Sequence, residues 1–342
     1  MIIIRPITEK DAEAFINIAF TAGIGMTSMP KNRKLLEKRI NDSINAFKDP
    51  SSNNTGTYLF VLEDLESGVI GGTCGIAAKT GVHSPISFYD IKKQEQHNGI
   101  GVPNKIVSTL HVSHHTNHWS EICSLYLMAD YRHSGIARLL SLSRFLFIAA
   151  FPERFEPMIF AEMRGQVDEN QISPFWEGVG KHFVDMTFEA LMHLRDEGIH
   201  DLSQAVPMYP IYIDLLPRNV QEAIGTVHEK TKPALYMLIQ EGFAHSSEFD
   251  ICDGGPKIEA ATKNIRTIQE SQLGTIAEIT QEIETTPLFI LSNATIDFRA
   301  CYSPIRKLPA GGLVIPAEVA KALKLKVGDK VRYVSSHKET SE

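Results

Sequence analysis

The sequence predicts a mixed α/β protein: a central mixed sheet flanked by helices, followed by a small β-rich module at the C-terminal end. Three observations carry this. Hydrophobic periodicity in the first half runs β-α-α-β-β-β-α-β-α. An apolar strand from Ile122 to Leu127 leads through the turn Arg132-x-x-Gly135-x-Ala137 into a helix that is apolar nearly all round. From residue 287 onward, short β-rich runs alternate with turn residues.

The elements follow in order. Ile2 to Arg5 reads as a strand stopped by Pro6, and Thr8 with Asp11 reads as a helix cap. Ala12, Phe15, Ile16 and Ala19 share one face of the helix that follows. Leu36, Ile40, Ile44 and Phe47 do the same in a second helix. Pro50 to Gly56 is a polar connection, after which Tyr58 to Glu63 and Val69 to Ile76 form a hairpin around Gly68. Residues 81–118 lack periodicity and read as an insert of loops with at most one strand. Met158 to Met163 is a further strand, and Pro174 opens a short helix in its first turn. Pro210 to Leu216 reads as a strand. Thr231 is placed to cap a helix that carries Pro233 and ends at Gly242-Phe243. Residues 256–285 are polar and read as helical. In the tail, Pro316 opens a short helix, Gly328-Asp329 makes a turn, and residues from Ser335 are expected to fray.

At 342 residues the chain is long enough for about two domains and a sizeable core. Hydrophobic residues make up 43% and charged residues 22%, values ordinary for a globular protein. A net charge of −7 argues against a broad phosphate-tracking surface, so no nucleic-acid partner is expected. Cys74, Cys123, Cys252 and Cys301 sit in apolar stretches without Cys-x-x-Cys spacing, as buried thiols in a reducing compartment do. The N-terminus lacks a signal-peptide pattern. The apolar run Leu139 to Phe151 is broken by Ser141, Ser143 and Arg144 and is too short to span a membrane. A cytoplasmic protein is expected.

The turn at Arg132 carries the chemistry. A glycine at its centre lets the backbone approach an anion, a helix N-terminus lies behind it, and Arg132 adds charge at the rim. An ordinary strand–turn–helix has the same shape. Placed between an apolar strand and a buried helix, this one resembles the pyrophosphate grip of the GNAT acyltransferases. The resemblance implies a GNAT-like sheet in which Leu125 and Leu127 present backbone groups to the pantetheine arm, while Arg132, Gly135 and Ala137 hold the pyrophosphate. Ala234-Leu235-Tyr236 with Gly242-Phe243 matches the closing helix of that superfamily. Together with the similar endings of 175–183 and 236–243, it suggests a partial second GNAT-like half. The expected segments are 1–200, 201–285 carrying the catalytic histidine, and 286–342.

A narrower resemblance rests on Thr27-Ser28-Met-Pro30, Ala161-Glu162-Met163-Arg164-Gly165, Ser173-Pro174-Phe175-Trp176, Ile224-Gly225-x-Val227-His228 and Asp253-Gly254-Gly255-Pro256. Together these look like the arginine N-succinyltransferases. The implied reaction transfers succinyl from succinyl-CoA, as co-substrate, to the α-amino group of L-arginine in a ternary complex, without a metal. Backbone N–H groups near Leu125 to Leu127 would polarise the thioester carbonyl. His228 corresponds to the family's proton donor. Its place at a helix entry favours neutral imidazole, which suits acid–base work.

Glu162, Asp168 and Asp253 are candidates for the guanidinium, as is Glu169. Arg164 and the Thr27-Ser28 loop are candidates for carboxylates. Each fits a structural ion pair equally well. Glu121 fits either an amine-ordering role or a solvated strand-start charge. Strand alternation places Cys123 and Leu125 on one face. His111, His114, His115 and His118 read as loop histidines rather than metal ligands. The C-terminal Ile315-Pro-Ala-Glu318 pattern resembles swapped-hairpin DNA-binding modules, but its mixed charge favours subunit packing and a homo-oligomer. The alternatives are another acceptor amine such as ornithine, acetyl-CoA as donor, or a CoA-sensing DNA-binding regulator.

Overall fold

Apolar alternation and helical stripes assemble as those periods require. The structure is a computed structural model and describes residues 1–23, 26–49, 55–97, 99, 101–133, 135–199, 202, 206–207, 209–283 and 288–336. The strands are β1 (Ile2–Pro6), β2 (Thr57–Asp64), β3 (Ile70–Ala77), β4 (Ile86–Gln96), β5 (Lys105–His115), β6 (Ser120–Leu127), β7 (Met158–Glu162) and β8 (Ile211–Tyr212), then β9 (Ala244–Asp250), β10 (Pro256–Ala261), β11 (Gln272–Thr280), β12 (Leu288–Asn293), β13 (Ala300–Pro304), β14 (Arg306–Lys307), β15 (Leu313–Pro316) and β16 (Lys330–Ser335). The helices are α1 (Ala12–Thr21), α2 (Arg33–Lys48), α3 (Ile136–Ala150), α4 (Lys181–Val184), α5 (Phe188–Asp196), α6 (Arg218–Ala223), α7 (Lys232–Gln240), α8 (Arg266–Glu270) and α9 (Ala317–Ala322).

These strands join in one mixed sheet of order β14-β15-β11-β16-β12-β13-β1-β2-β3-β6-β7-β10-β9-β4-β5-β8. Among the described residues only β6–β7 and β11–β15 pair in parallel. The C-terminal strands join the rest through β1, whose Ile4 pairs with Ala300 of β13. β11, which precedes residue 286, lies between β15 and β16.

The expected cap at Thr8 is present. The Asp11 carboxylate accepts from the Thr8 N–H and hydroxyl, both at 2.8 Å, and pairs with Arg5 at 2.7 Å. α3 is buried over nearly its whole surface. Leu139, Leu140, Leu142, Phe145, Leu146 and Phe147 sit in a core with Tyr58, Phe60, Cys74 and Ile290. Its N-terminal turn is therefore held as firmly as the sheet itself.

Three sequence expectations are corrected. Residues 81–118 hold two long strands, paired antiparallel from Ile86↔His115 to Gln96↔Lys105. Their outer ends are solvated on both faces, so no alternation marks them. Residues 256–285 are mostly strand: β10 is a buried interior strand, and β11 buries only Ile276 completely. Pairing with neighbouring strands overrides their polar composition. Between Pro210 and Leu216 only Ile211 and Tyr212 are extended, followed by a 3-10 turn. Pro50 to Asn54 and residues 337–342 lie outside the described residues.

One buried ion pair ties α7 to α8. The fully enclosed Glu241 accepts from Arg266 Nε at 2.9 Å, Arg266 Nη2 at 2.7 Å and the Thr267 N–H at 2.8 Å. Glu241→Ala leaves the buried guanidinium with only the half-exposed Glu270, at 2.9 Å, as its carboxylate partner among the described residues and is expected to cost about 3 kcal/mol in urea unfolding. A joint Glu241→Met, Arg266→Met variant is expected to recover most of that loss, and no recovery would contradict the account.

Candidate active site

The site starts where two parallel strands part. β6 and β7 pair only at Ser120↔Ile159 and Glu121↔Phe160, and beyond Glu121 they separate. On its other edge β6 stays paired to β3, with a register shift between Thr73 and Gly75. Ser124 takes a left-handed φ of 52°, and Ser124 and Leu125 together oppose Cys74. This bulge corrects the expectation that simple alternation relates Cys123 to Leu125. It is pinned by Ser28: the Ser124 N–H donates to Ser28 Oγ at 3.1 Å, and Ser124 Oγ donates to the Ser28 carbonyl at 3.3 Å. The Met128 N–H donates to the Gly71 carbonyl at 2.9 Å. The peptide groups of Leu127 and Leu125 therefore turn the other way, toward the parted edge.

That edge opens into a cavity of about 1060 Å³. Leu125, Leu127, Arg132, Gly135 and Ala137 line it together, and so do Glu121, Glu162, Arg164 and Asp253. Lys230 and Thr231 also line it, but His228 and Asp168 do not.

Gly135 heads α3 with φ 76°, a left-handed conformation that favours glycine. Its carbonyl accepts from the Arg138 and Leu139 N–H groups and from the Tyr302 hydroxyl at 3.0 Å, so a C-terminal strand braces the turn. Arg132 folds back: its Nε donates to the Leu127 carbonyl at 2.9 Å, and its guanidinium lies 5.7 Å from the Tyr126 ring centre. Ser134, between them, lies outside the described residues.

Carboxylates crowd the end of the cavity where β7 stops. Burial pushes Glu121 up to about 7, with Arg39 and Arg195 opposing the shift. Burial, then Glu121 and Asp250, hold Glu162 well above the carboxylate range. Burial, then Asp250, push Asp253 up to about 7, while its bonds from the Gly255 and Gly165 N–H groups, each 2.8 Å, pull the other way. Arg195 of α5 reaches Cys252 Sγ at 3.0 Å and Asp250 at 4.0 Å. Arg164 stands among these acids with its Nε buried and unpartnered among the described residues.

The motifs far apart in sequence meet here. The Gly225 N–H donates to the Gly254 carbonyl at 2.8 Å, Val227 bridges Gly165, and the His228 N–H donates to the Arg164 carbonyl at 2.9 Å. A Cβ on Gly255 would lie 2.0 Å from the Met163 carbonyl, so this close approach requires glycine. Asp168 lies apart, in a turn where its carboxylate accepts from the Asn170 and Ile172 N–H groups at 2.8 Å.

His228 is tied to two residues that line the cavity, Arg164 and Lys230, by hydrogen bonds to their backbone groups. Its Nδ1 accepts from the Lys230 N–H at 3.1 Å, which leaves the neutral ring's proton on Nε2. Partial burial, then Arg164 and Lys230, lower its pKa below the usual histidine value. His228 caps the turn before α7; Thr231 makes no side-chain cap.

Of the four clustered histidines, three are strand residues rather than loop residues, while His118 lies in the connection between β5 and β6. His111, His114 and His115 lie on β5, with His115 bonded to Glu248 at 2.6 Å, and His118 is buried beside Lys257. No group among the described residues offers three or more His, Cys, Asp or Glu side chains for a metal. Sequence reading missed Arg195 and Asp250 because neither belongs to a motif; only the fold brings them to β7.

Residues 2–267 match the family model described as arginine N-succinyltransferase beta subunit, and residues 272–335 match the model of its C-terminal domain. The chain is similar to arginine N-succinyltransferase subunit beta of Pseudomonas aeruginosa, 37% identical with 97% of each chain covered. It is 36% identical to arginine N-succinyltransferase of Escherichia coli, covering 98% of this chain and 97% of that one. It is also similar to the solved structure of arginine/ornithine succinyltransferase subunit AI from Pseudomonas aeruginosa, with TM-score 0.90, 30% identity and 99% of both chains covered. The chain belongs to the arginine N-succinyltransferase beta subunit family.

Proposed function

We propose that this chain transfers succinyl from succinyl-CoA to the α-amino group of L-arginine by direct attack in a ternary complex. The observation that carries the reading is one cavity joining a parted strand edge, a glycine-headed helix and a carboxylate-rich end with an arginine whose Nε is buried and unpartnered among the described residues. The turn at Arg132, Gly135 and Ala137 takes the pyrophosphate. The Leu125 and Leu127 peptide groups pair with the pantetheine arm and orient the thioester at the bulge.

The acidic end suits the cationic acceptor: Glu162 and Asp253 face its guanidinium, and Arg164 takes its carboxylate. Asp168, held in its own turn, supports that region rather than touching the substrate. Glu121 accepts the amine proton, the freed lone pair attacks the thioester carbonyl, and backbone N–H groups stabilise the oxyanion. As the carbon–sulfur bond breaks, the CoA thiolate takes the Nε2 proton of His228, which is restored by the second proton that the attacking nitrogen sheds as the amide forms, so the imidazole ends neutral as it began.

Ornithine is the second acceptor to test, because the similar solved structure carries both amino acids in its name. Four buried thiols favour a reducing cytoplasm, and no described helix is long and apolar enough to cross a membrane. The relatives described as subunits favour an assembly of more than one chain.

Thiol release from succinyl-CoA with arginine tests the reading, crossed with ornithine and with acetyl-CoA. His228→Ala is expected to lower kcat by about 10²-fold while CoA still binds; wild-type turnover would reject its role. Gly135→Val places a β-branched residue at a left-handed φ and a Cβ against Tyr302, and calorimetry is expected to show CoA affinity lost. Unchanged affinity would count against the grip. Glu121 is protonated below about 7 and ionised above it, so kcat/KM for arginine is expected to rise with pH through about 7. Glu121→Gln is expected to abolish that rise, and a flat wild-type profile would remove Glu121 as the base.

A further inference from the structure

Arg144 is 1% exposed, sits in the middle of α3 and lines the cavity. The other buried cations have oxygen partners suited to them. Arg266 faces Glu241, Lys257 faces Glu248, and Arg154 donates to the Asp49 carbonyl and the Tyr58 hydroxyl. Among the described residues, the hydrogen bonds of Arg144 go only to its own helix turn: Nε to the Ser141 carbonyl at 3.0 Å and Nη2 to Ser141 Oγ at 2.9 Å. Among the described residues it forms no ion pair. A buried guanidinium without a counterion is strongly disfavoured, and an anion entering the cavity relieves that cost.

Its position says which anion. Ala137, Leu140 and Arg144 follow one another at helical spacing, and all three line the cavity. Arg144 therefore lies about 14 Å along the helix from Gly135, a run comparable to a pantetheine arm. Its electrostatic neighbours are the Cys74 and Cys123 thiols, where β3 faces the bulge of β6. A thioester laid from the turn along the β6 edge brings its acyl chain to this region. The acceptor's carboxylate is provided for elsewhere, at Arg164.

We propose that the Arg144 guanidinium receives the free carboxylate of a dicarboxylic acyl group carried on CoA, and so sets the preference for succinyl over uncharged acyl chains. The inference rests on the acyl-CoA reading of the cavity given above.

The test uses two unreactive thioethers, S-(3-carboxypropyl)-CoA and S-butyl-CoA, which differ only in the terminal carboxylate. Calorimetry on the wild-type protein is expected to show the carboxylated analogue binding about 10-fold or more tightly. In Arg144→Met the ratio of the two dissociation constants is expected to fall to near one, and Arg144→Lys is expected to restore part of it. A Met variant that keeps the wild-type ratio overturns the assignment.

If that variant does not fold, a crystal structure of the wild-type protein with the carboxylated analogue decides. A carboxylate within hydrogen-bond distance of Arg144 supports the proposal, and one lodged elsewhere overturns it. An analogue bound along β6 with its carboxylate away from Arg144 defeats this inference alone. Failure of either analogue to bind in the cavity defeats the acyl-CoA reading as well.

Discussion

Backbone groups must find partners, and in this protein one strand is denied them. β6 keeps β3 on one side but loses β7 after Glu121, so among the described residues no strand pairs with Leu125 and Leu127 on that edge, where Arg132 reaches the Leu127 carbonyl. Edge strands elsewhere in proteins are covered or blunted because an unpaired row of N–H and C=O groups invites a partner. Here the row lines a cavity, and its natural partner is a ligand that is itself a chain of amides. The rest of the site follows from that gap. α3 starts beside it, the bulge bends into it, and the acids at the end of β7 close it.

The surroundings serve to keep the gap open and rigid. Ser28 fastens the bulge, Tyr302 braces the turn from the C-terminal strands, and the glycine-rich knot of residues 163–165, 225–228 and 253–255 holds the acidic end together. α3 is buried all round, so a shift at its N-terminus would disturb the whole core. The C-terminal strands are thus part of the acyl-CoA side of the molecule through Tyr302, although their own surface lies at the far end of the sheet.

Much of this was legible in the residues. The glycine turn, the apolar helix and the Thr8–Asp11 cap are local patterns, set by sterics and periodicity within a few positions. Arg164, Glu162 and Asp253 stood in uncommon motifs, and the cavity contains all three. What the residues did not disclose depends on pairing across the chain. The β4–β5 hairpin is solvated on both faces at its outer end, so period-two alternation never appears. β11 is a polar strand held by its neighbours. The bulge at Ser124 needs a partner strand to exist at all. Arg144 looked like an interruption in an apolar run, whereas in the fold it is an enclosed charge facing the cavity. Asp168 carried the same acidic signal as Asp253 but closes a turn, because two nearby amides claim its carboxylate first.

The account stands or falls on whether the free edge of β6 is the surface that takes the thioester carrier. Residue-resolved amide hydrogen exchange with and without CoA measures this directly. The account predicts marked slowing at Leu125 and Leu127, with further protection at the start of α3, when CoA is added. Protection confined to other strands, with those two amides exchanging as before, would contradict it.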